Sequence, residues 1–128
     1  MTRSMSRGVV RGAGVAAVAL LTTVATALPA HALNRTDCGH STDFFEVHSA
    51  QAPGGVICFA NAGEMNVAIY QVSHISTGNN VVRFRYKARP DTPVKEVGVG
   101  RWSSYSPHNY DPDVVYINVD KVEWIKIH

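Results

Sequence analysis

Short apolar segments alternate with glycine- and asparagine-containing turns through the middle of the chain, from residue 54 to residue 86. The last of these segments shows the pattern most clearly. Val82, Phe84 and Tyr86 fall on one face of an extended strand, and the arginines between them fall on the other. The turn segments 60–63 and 77–80 supply residues that tolerate positive φ. This pattern predicts antiparallel strands with one buried and one solvated face.

The same reasoning extends to the rest of the chain. Proline and glycine at 53–55 predict a hairpin turn, two prolines within 87–93 predict a link between two halves, and the polar, aromatic segment 101–112 predicts a loop. No segment has the period of a helix of ordinary length. Trp124 alternates with Val122 in the last strand and is expected in the core. The predicted strands lie at residues 44–49, 56–59, 67–72, 81–86, 94–100, 114–119 and 122–127.

The two halves of the chain repeat the same apolar spacing. With an offset of 47 residues, Val67, Val72 and Ile75 fall on Val114, Val119 and Val122. About four strands in each half are enough for one Greek key, and two such units pack face to face. The expected fold is therefore an all-β, two-Greek-key antiparallel β-sandwich, with one key at about 33–88 and the other at about 89–128.

Residues 1–32 are predicted to be a secretory signal peptide that is not part of the fold. Three arginines precede an apolar stretch, which ends at the small-x-small string AHA of residues 30–32. The apolar stretch is too short to cross a bilayer comfortably. The domain is therefore expected to cover residues 33–128 and to be extracellular, without attachment to a membrane.

Removal of this segment changes the charge of the protein. The full chain has 12 basic and 10 acidic side chains, and the loss of three arginines leaves nine basic side chains and a net charge of −1. Such a charge does not attract nucleic acid or an anionic membrane surface. Neither class of partner is therefore expected.

The chain has two cysteines, Cys38 and Cys58, and both follow the predicted cleavage site. A domain of this length buries only a modest core, and small secreted domains often add a covalent cross-link. In an oxidising compartment the two cysteines are expected to form one disulfide.

Four strings resemble a known family: NRTDC at 34–38, CFANAG at 58–63, VAIY at 67–70 and STGNNVV at 76–82. They closely resemble the βγ-crystallin family, and in particular its secreted antifungal and killer-toxin-like members from Streptomyces. The similarity covers nearly the whole mature chain. It implies two crystallin-type Greek keys, one disulfide, and non-enzymatic binding to the chitin of fungal cell walls with inhibition of fungal growth.

The loop 101–112 carries the types of residue that bind amino sugars. Aromatic rings stack on the face of a sugar, and polar side chains pair with its hydroxyl and acetamido groups. Loops on a rigid scaffold often carry binding residues. The candidate chitin-binding residues are Trp102, Tyr105, His108, Asn109 and Tyr110.

The resemblance also raises the question of calcium, because crystallin strands carry the pattern Asn/Asp-x-x-Ser. Asp120 keeps the acid of this pattern but is followed by Glu123 at the serine position, whereas Ser76 keeps the serine without a carboxylate before it. Calcium needs several oxygen ligands with adequate charge. The protein is therefore expected to need no cofactor, and Ser76 and Asp120 are the remaining calcium candidates.

No arrangement of residues favours an enzyme. The histidines lack the spacing of a metal site, and disulfide-bonded cysteines offer no thiol nucleophile. Asp111 and Asp113 flank a proline and are expected in a solvated turn rather than in a catalytic carboxylate pair. Two other functions stay open, a secreted metalloproteinase inhibitor of the same fold and a calcium-stabilised extracellular structural protein. The protein is expected to be a monomer.

Overall fold

Eight β-strands and two 3₁₀ turns make up the regular structure of residues 32–128, the part of the chain that the computed structural model describes. Residues 1–31, which hold most of the predicted signal peptide, lie outside the described residues. The strands are β1 (Asn34–Thr36), β2 (Phe45–Ser49), β3 (Val56–Ala60), β4 (Gly63–Ser76), β5 (Val82–Lys87), β6 (Lys95–Val99), β7 (Ser104–Tyr105) and β8 (Val119–Ile127). Among the described residues no helix is long and apolar enough to cross a membrane.

The strands form an antiparallel sandwich that is joined through one long strand. Hydrogen bonding follows the order β1-β3-β2-β4-β8-β5-β6, and β7 pairs with the end of β4. Residues 63–72 of β4 pair with β8, whereas its residues 72–76 pair with β2, so β4 contributes to both layers. The inward side chains of both layers pack into one core, which includes Phe45, Phe59 and Phe84. The predicted all-β antiparallel sandwich is therefore confirmed.

The division into two Greek keys at residue 88 stays a prediction, because strands from the two halves lie side by side. β8 belongs to the second half by sequence but lies between β4 and β5 of the first half. The two halves consequently share one core and cannot be described as separate packing units.

Alternation of apolar and polar residues was a reliable guide in the regular strands. In β5, Val82, Phe84 and Tyr86 are buried and the arginines between them are exposed, as predicted. The turn Pro53–Gly55 joins the antiparallel strands β2 and β3, which confirms the predicted hairpin. Gly54 has a φ of +70°, a backbone conformation that glycine adopts without steric cost.

Several strands differ from the prediction, and one of them, β7 (Ser104–Tyr105), forms within the segment 101–112 that was predicted to be a loop. β1 was not predicted, because Asn34–Thr36 is polar throughout and shows no alternation. It forms by adding to the edge of β3, where Thr36 lies opposite Cys58. β4 begins at Gly63, well before the predicted start at residue 67, because β8 provides hydrogen-bonding partners along that extra length.

Residues 114–118 form a loop, so the predicted strand 114–119 is wrong for all but Val119. The β-branched content of this segment favours a strand, but within the described part of the chain neighbouring strands are lacking on both sides. Val119 lies opposite Val72, and beyond Val72 the strand β4 pairs with β2 instead. On the other side β5 ends at Lys87. Without neighbours the segment cannot complete a ladder of backbone hydrogen bonds.

Trp124 is buried, as predicted, but its ring is covered by a charged side chain. The guanidinium of Arg85 lies 4.1 Å from the centre of the indole ring, and the indole Nε1 donates a hydrogen bond to Glu64 at 3.2 Å. A cation over the face of tryptophan is attracted by the ring quadrupole. Trp124 is therefore held by side chains of two neighbouring strands.

The disulfide between Cys38 and Cys58 is confirmed, with Cα atoms 5.2 Å apart and a sequence separation of 20 residues. We expect the double variant Cys38→Ser/Cys58→Ser to lose about 3 kcal/mol of unfolding free energy, because the unfolded chain gains loop entropy. Urea unfolding monitored by circular dichroism measures this loss. Reduction of the wild-type protein should shift the midpoint by the same amount, and an unchanged midpoint on reduction would contradict the prediction.

Candidate functional site

Three aromatic side chains form a column from the core to the surface. Phe84 is fully buried, and the ring of Tyr105 meets it edge-on at a centroid distance of 6.0 Å. Tyr110 stacks on Tyr105 with centroids 4.8 Å apart and an interplanar angle of 13°. Burial, followed by the nearby Tyr110 and Asp111, raises the pKa of the Tyr105 phenol. Because Tyr110 is 69% exposed, the column ends in an aromatic surface that the core supports from below.

Trp102 is the second large aromatic side chain that the loop 101–112 presents to solvent. It is 61% exposed, and its backbone φ is +55°. A bulky non-glycine residue rarely adopts this conformation, which costs about 1–2 kcal/mol. Backbone strain of this kind often occurs at functional sites, so the exposed ring of Trp102 is a candidate binding residue.

The turn that follows β4 fixes the backbone of the Trp102 segment. The backbone N–H of Trp102 donates to the carbonyl oxygen of Gly78 at 2.6 Å. Thr77 is fully buried, and its hydroxyl donates to the carbonyl of Gly100 at 2.7 Å and accepts the N–H of Ser103 at 3.0 Å. The sequence predicts residues 77–80 only as a turn, since their supporting role depends on contacts with a segment that is distant in the chain.

Asp111 is buried and central to a polar network, so the prediction of a solvated turn is wrong for this residue. Only 7% of Asp111 is exposed. Its carboxylate accepts hydrogen bonds from the Tyr86 hydroxyl at 2.6 Å, from Lys95 Nζ at 2.7 Å and from the backbone N–H of Asp113 at 2.9 Å. Lys95 also binds Asp113, at 2.8 Å. Because Asp111 directly follows Tyr110, the network anchors the outer end of the aromatic column.

These contacts also determine the protonation of the network. Burial by itself would raise the pKa of Asp111, but the hydrogen bonds from Lys95 and Tyr86 outweigh burial and lower it. The hydrogen bonds to Asp111 and Asp113 raise the pKa of Lys95. Burial, together with the hydrogen bond to Asp111, raises the pKa of Tyr86. The charged carboxylate and the neutral phenol are therefore the stable forms near neutral pH.

His108 and Asn109 are exposed on the 3₁₀ turn Pro107–Asn109, just before Tyr110. The ring atom Nδ1 of His108 lies 3.1 Å from the carbonyl oxygen of Tyr116. This contact brings Tyr116, which is 79% exposed, beside the predicted residues. Tyr116 is not among the predicted site residues, because the sequence pattern predicts a strand at this position. Of the five candidate residues, Tyr105 and Tyr110 are in direct contact with each other. The role of all five in binding stays a prediction.

The two calcium candidates are engaged in backbone pairing. Ser76 lies in β4 between Glu46 of β2 and Ser104 of β7, and the backbone N–H of Asp120 donates to the carbonyl of Ala88 at 3.1 Å. Within residues 32–128 no group of three or more His, Cys, Asp or Glu side chains is arranged to hold a metal ion.

The beta/gamma crystallin family model matches residues 45–120 of the chain. The chain belongs to the βγ-crystallin family. Among solved structures, this βγ-crystallin is similar to the antifungal protein from Streptomyces tendae Tu901, determined by NMR. The two are 31% identical, the TM-score is 0.59, and the alignment covers 75% of this chain and 99% of the other. Comparison with curated proteins gives no match. The predicted family and the predicted crystallin-type fold are therefore confirmed.

Proposed function

We propose that this βγ-crystallin is a secreted, non-enzymatic antifungal protein that binds the chitin of fungal cell walls through its aromatic loop. The observation that carries the proposal is the conformation of Trp102, which exposes a large ring on a strained backbone. The similarity to an antifungal protein from Streptomyces tendae supports the antifungal and secreted parts of the proposal.

Binding would rest on stacking, because chitin presents flat, apolar sugar faces. The ring of Tyr110 is backed by Tyr105, so it meets a sugar without losing much conformational freedom. The backbone of Trp102 is held by its hydrogen bond to Gly78, and its exposed ring offers a second stacking surface. His108 and Asn109 are exposed beside Tyr110 and provide polar groups for the acetamido and hydroxyl groups.

The same arrangement favours binding over catalysis. The buried carboxylate of the loop is Asp111, and its oxygens are occupied by Tyr86, Lys95 and Asp113. A carboxylate that is fixed by a lysine and has a lowered pKa is a poor general acid near neutral pH. Growth inhibition would therefore follow from adhesion to the wall polymer.

Retention on insoluble chitin, with cellulose as the control polymer, tests the proposal. We expect the wild-type protein to be retained on chitin and not on cellulose. Trp102→Ala and Tyr110→Ala should each weaken retention by about tenfold, because each removes one stacking surface. Growth inhibition of a fungal culture should fall in parallel.

Tyr70→Ala provides a matched control, since Tyr70 is an exposed tyrosine outside the loop. It should be retained like the wild-type protein. Equal retention on both polymers, or on neither, would contradict the proposal. A protein that fails to bind chitin but inhibits a thermolysin-type proteinase would instead favour the inhibitor function.

A further inference from the structure

A groove separate from the aromatic loop opens on the side of the sandwich between β3 and the first part of β4. Its volume is about 420 Å³, within the range of roughly 300–1,000 Å³ of small-molecule sites. Its apolar lining includes Ile57 and Phe59 from β3 and Met65, Val67 and Ile69 from β4. None of its lining residues belongs to the loop 101–112.

The topology explains why apolar side chains remain accessible at this position. β3 belongs to the layer of β1 and β2, whereas residues 63–70 of β4 pair with β8 in the other layer. Within the described residues, no further strand pairs with residues 63–70, so the two layers stay open on this side. Ile57, Met65 and Val67 are consequently only half-buried, although they pack against the core.

The described lining of the groove combines one charged side chain with the polar side chains of Ser49, Gln51 and Tyr70. Among the described residues that line it, Arg35 is the only charged side chain, and it lies opposite Phe59 in the pairing of β1 with β3. Arg35 forms no ion pair within residues 32–128, in contrast to Arg83 and Arg85, which both bind Glu96. An exposed guanidinium without a carboxylate partner is complementary to an anionic group.

Of the other polar groups around the groove, the Ser49 hydroxyl is already hydrogen-bonded, and Lys121 adds positive charge nearby. The Ser49 hydroxyl donates to the carbonyl of Tyr70 at 2.6 Å and accepts the N–H of Gln51 at 3.1 Å. Lys121 lies over the Tyr70 ring, with its Nζ 5.9 Å from the ring centre. A ligand that needs many hydrogen bonds, such as a sugar, is poorly matched by this lining. A ligand with one anionic head and an apolar chain is well matched.

We propose that this groove binds a long-chain fatty acid, with its carboxylate on Arg35 and its alkyl chain along Ile57, Phe59, Met65 and Val67. Removal of the alkyl chain from water drives binding, since each buried methylene contributes favourably. The guanidinium selects the anionic head and fixes the direction of the chain. The proposal does not depend on chitin binding, because the two sites share no residue.

Isothermal titration of the protein with sodium laurate, kept below its critical micelle concentration, tests the proposal. We expect saturable binding of one laurate per protein. Arg35→Gln should weaken binding by about tenfold or more, because a charge-assisted contact is lost. Arg101→Gln is the matched control, since Arg101 is also an exposed arginine without an ion pair in residues 32–128 but lies outside the groove.

Two further ligands and two further variants make the outcome decisive. Dodecyltrimethylammonium has the same chain with a cationic head and should bind much more weakly than laurate, and hexanoate should bind weakly because its chain is short. Val67→Asp should abolish laurate binding, and Trp102→Ala should leave it unchanged. The proposal would be overturned by absence of laurate binding, by equal binding of the cationic ligand, or by full laurate affinity in Arg35→Gln. If Val67→Asp fails to fold, Arg35→Gln still tests the proposal.

Discussion

Gly78→Ala is expected to destabilise the protein by about 4 kcal/mol, a large part of the stability of a domain of this size. Two costs combine at this position. Gly78 has a φ of +56°, which an alanine adopts only with strain. A Cβ atom there would also fall against the backbone carbonyl oxygens of Phe44 and Asp43, 2.5 Å from the latter. Backbone atoms cannot rotate away as a flexible side chain does, so the turn or the segment before β2 must shift.

Two control variants separate these costs. Gly39 has a similar φ of +53°, but the space that a Cβ atom would occupy there is open, so Gly39→Ala should show only the conformational cost of about 1 kcal/mol. Gly100→Ala meets neither obstacle and should be nearly neutral. Urea unfolding of the three variants measures the differences. Equal losses for Gly39→Ala and Gly78→Ala would show that the close backbone contact does not constrain the fold.

The same substitution should also affect the aromatic loop. The carbonyl of Gly78 accepts the N–H of Trp102, and the carbonyl of Asp43 accepts from Asn79 and from the side chain of Asn80. A shift of this turn therefore moves the support of Trp102. Under conditions in which Gly78→Ala is still folded, we expect its retention on chitin to be lower than that of Gly39→Ala.

Asp111→Ala is expected to cost about 3 kcal/mol at pH 7, because it leaves the buried Tyr86 hydroxyl without an acceptor and Lys95 without its closest carboxylate. Unfolding by urea at pH 7 measures this loss. Tyr86→Phe in the Asp111→Ala background should cost less than Tyr86→Phe alone, since the hydroxyl is then already unpaired. Additive losses would show that the two residues do not interact.

The contribution of Asp111 depends on pH in a defined direction. The pKa of Asp111 is lower in the folded protein than in the unfolded chain, where it is about 3.9. Its stabilisation is therefore fully present above that unfolded value and is lost as the pH falls through the folded value. We expect the stability difference between the wild-type protein and Asp111→Ala to shrink between pH 5 and pH 2, roughly over that range.

Asp91 supplies the control for this pH dependence. Its side chain is 80% exposed, and it pairs with Arg89 only at 3.4 Å. Asp91→Ala should change the stability by less than about 0.5 kcal/mol at any pH, as exposed ion pairs contribute little. If Asp91→Ala removed as much of the pH dependence of stability as Asp111→Ala does, the assignment of this pH dependence to Asp111 would be contradicted.

The outer residues of the candidate site were predictable because they belong to one short segment. The aromatic and polar composition of 101–112 identified Trp102, Tyr105 and Tyr110 as ring candidates. Trp102 and Tyr110 are exposed, whereas Tyr105 is half-buried against Phe84. The support of these rings was not predictable. Thr77, Gly78 and Lys95 come from other segments, and nothing in their local sequence indicates that they hold this loop.

The sequence by itself determined the local features of this protein. The alternation in β5, the hairpin at Pro53–Gly55 and the pairing of Cys38 with Cys58 follow from side-chain periodicity, turn chemistry and the cysteine count. The first two features depend on neighbouring residues, and the disulfide joins the two cysteines of the chain. The sequence is therefore enough to predict all three.

Tertiary structure alone decided which segments have neighbouring strands or side chains to bond with. Polar residues 34–36 form a strand because the edge of β3 is available for pairing. Apolar residues 114–118 form a loop because β4 pairs with β2 beyond Val72 and β5 ends at Lys87, so neither strand is available to pair with them. Asp111 was buried because Tyr86 and Lys95 were there to bind it. Hydrogen bonds and ion pairs of this kind require atoms from distant parts of the chain, and a local pattern contains no information about where those atoms will lie.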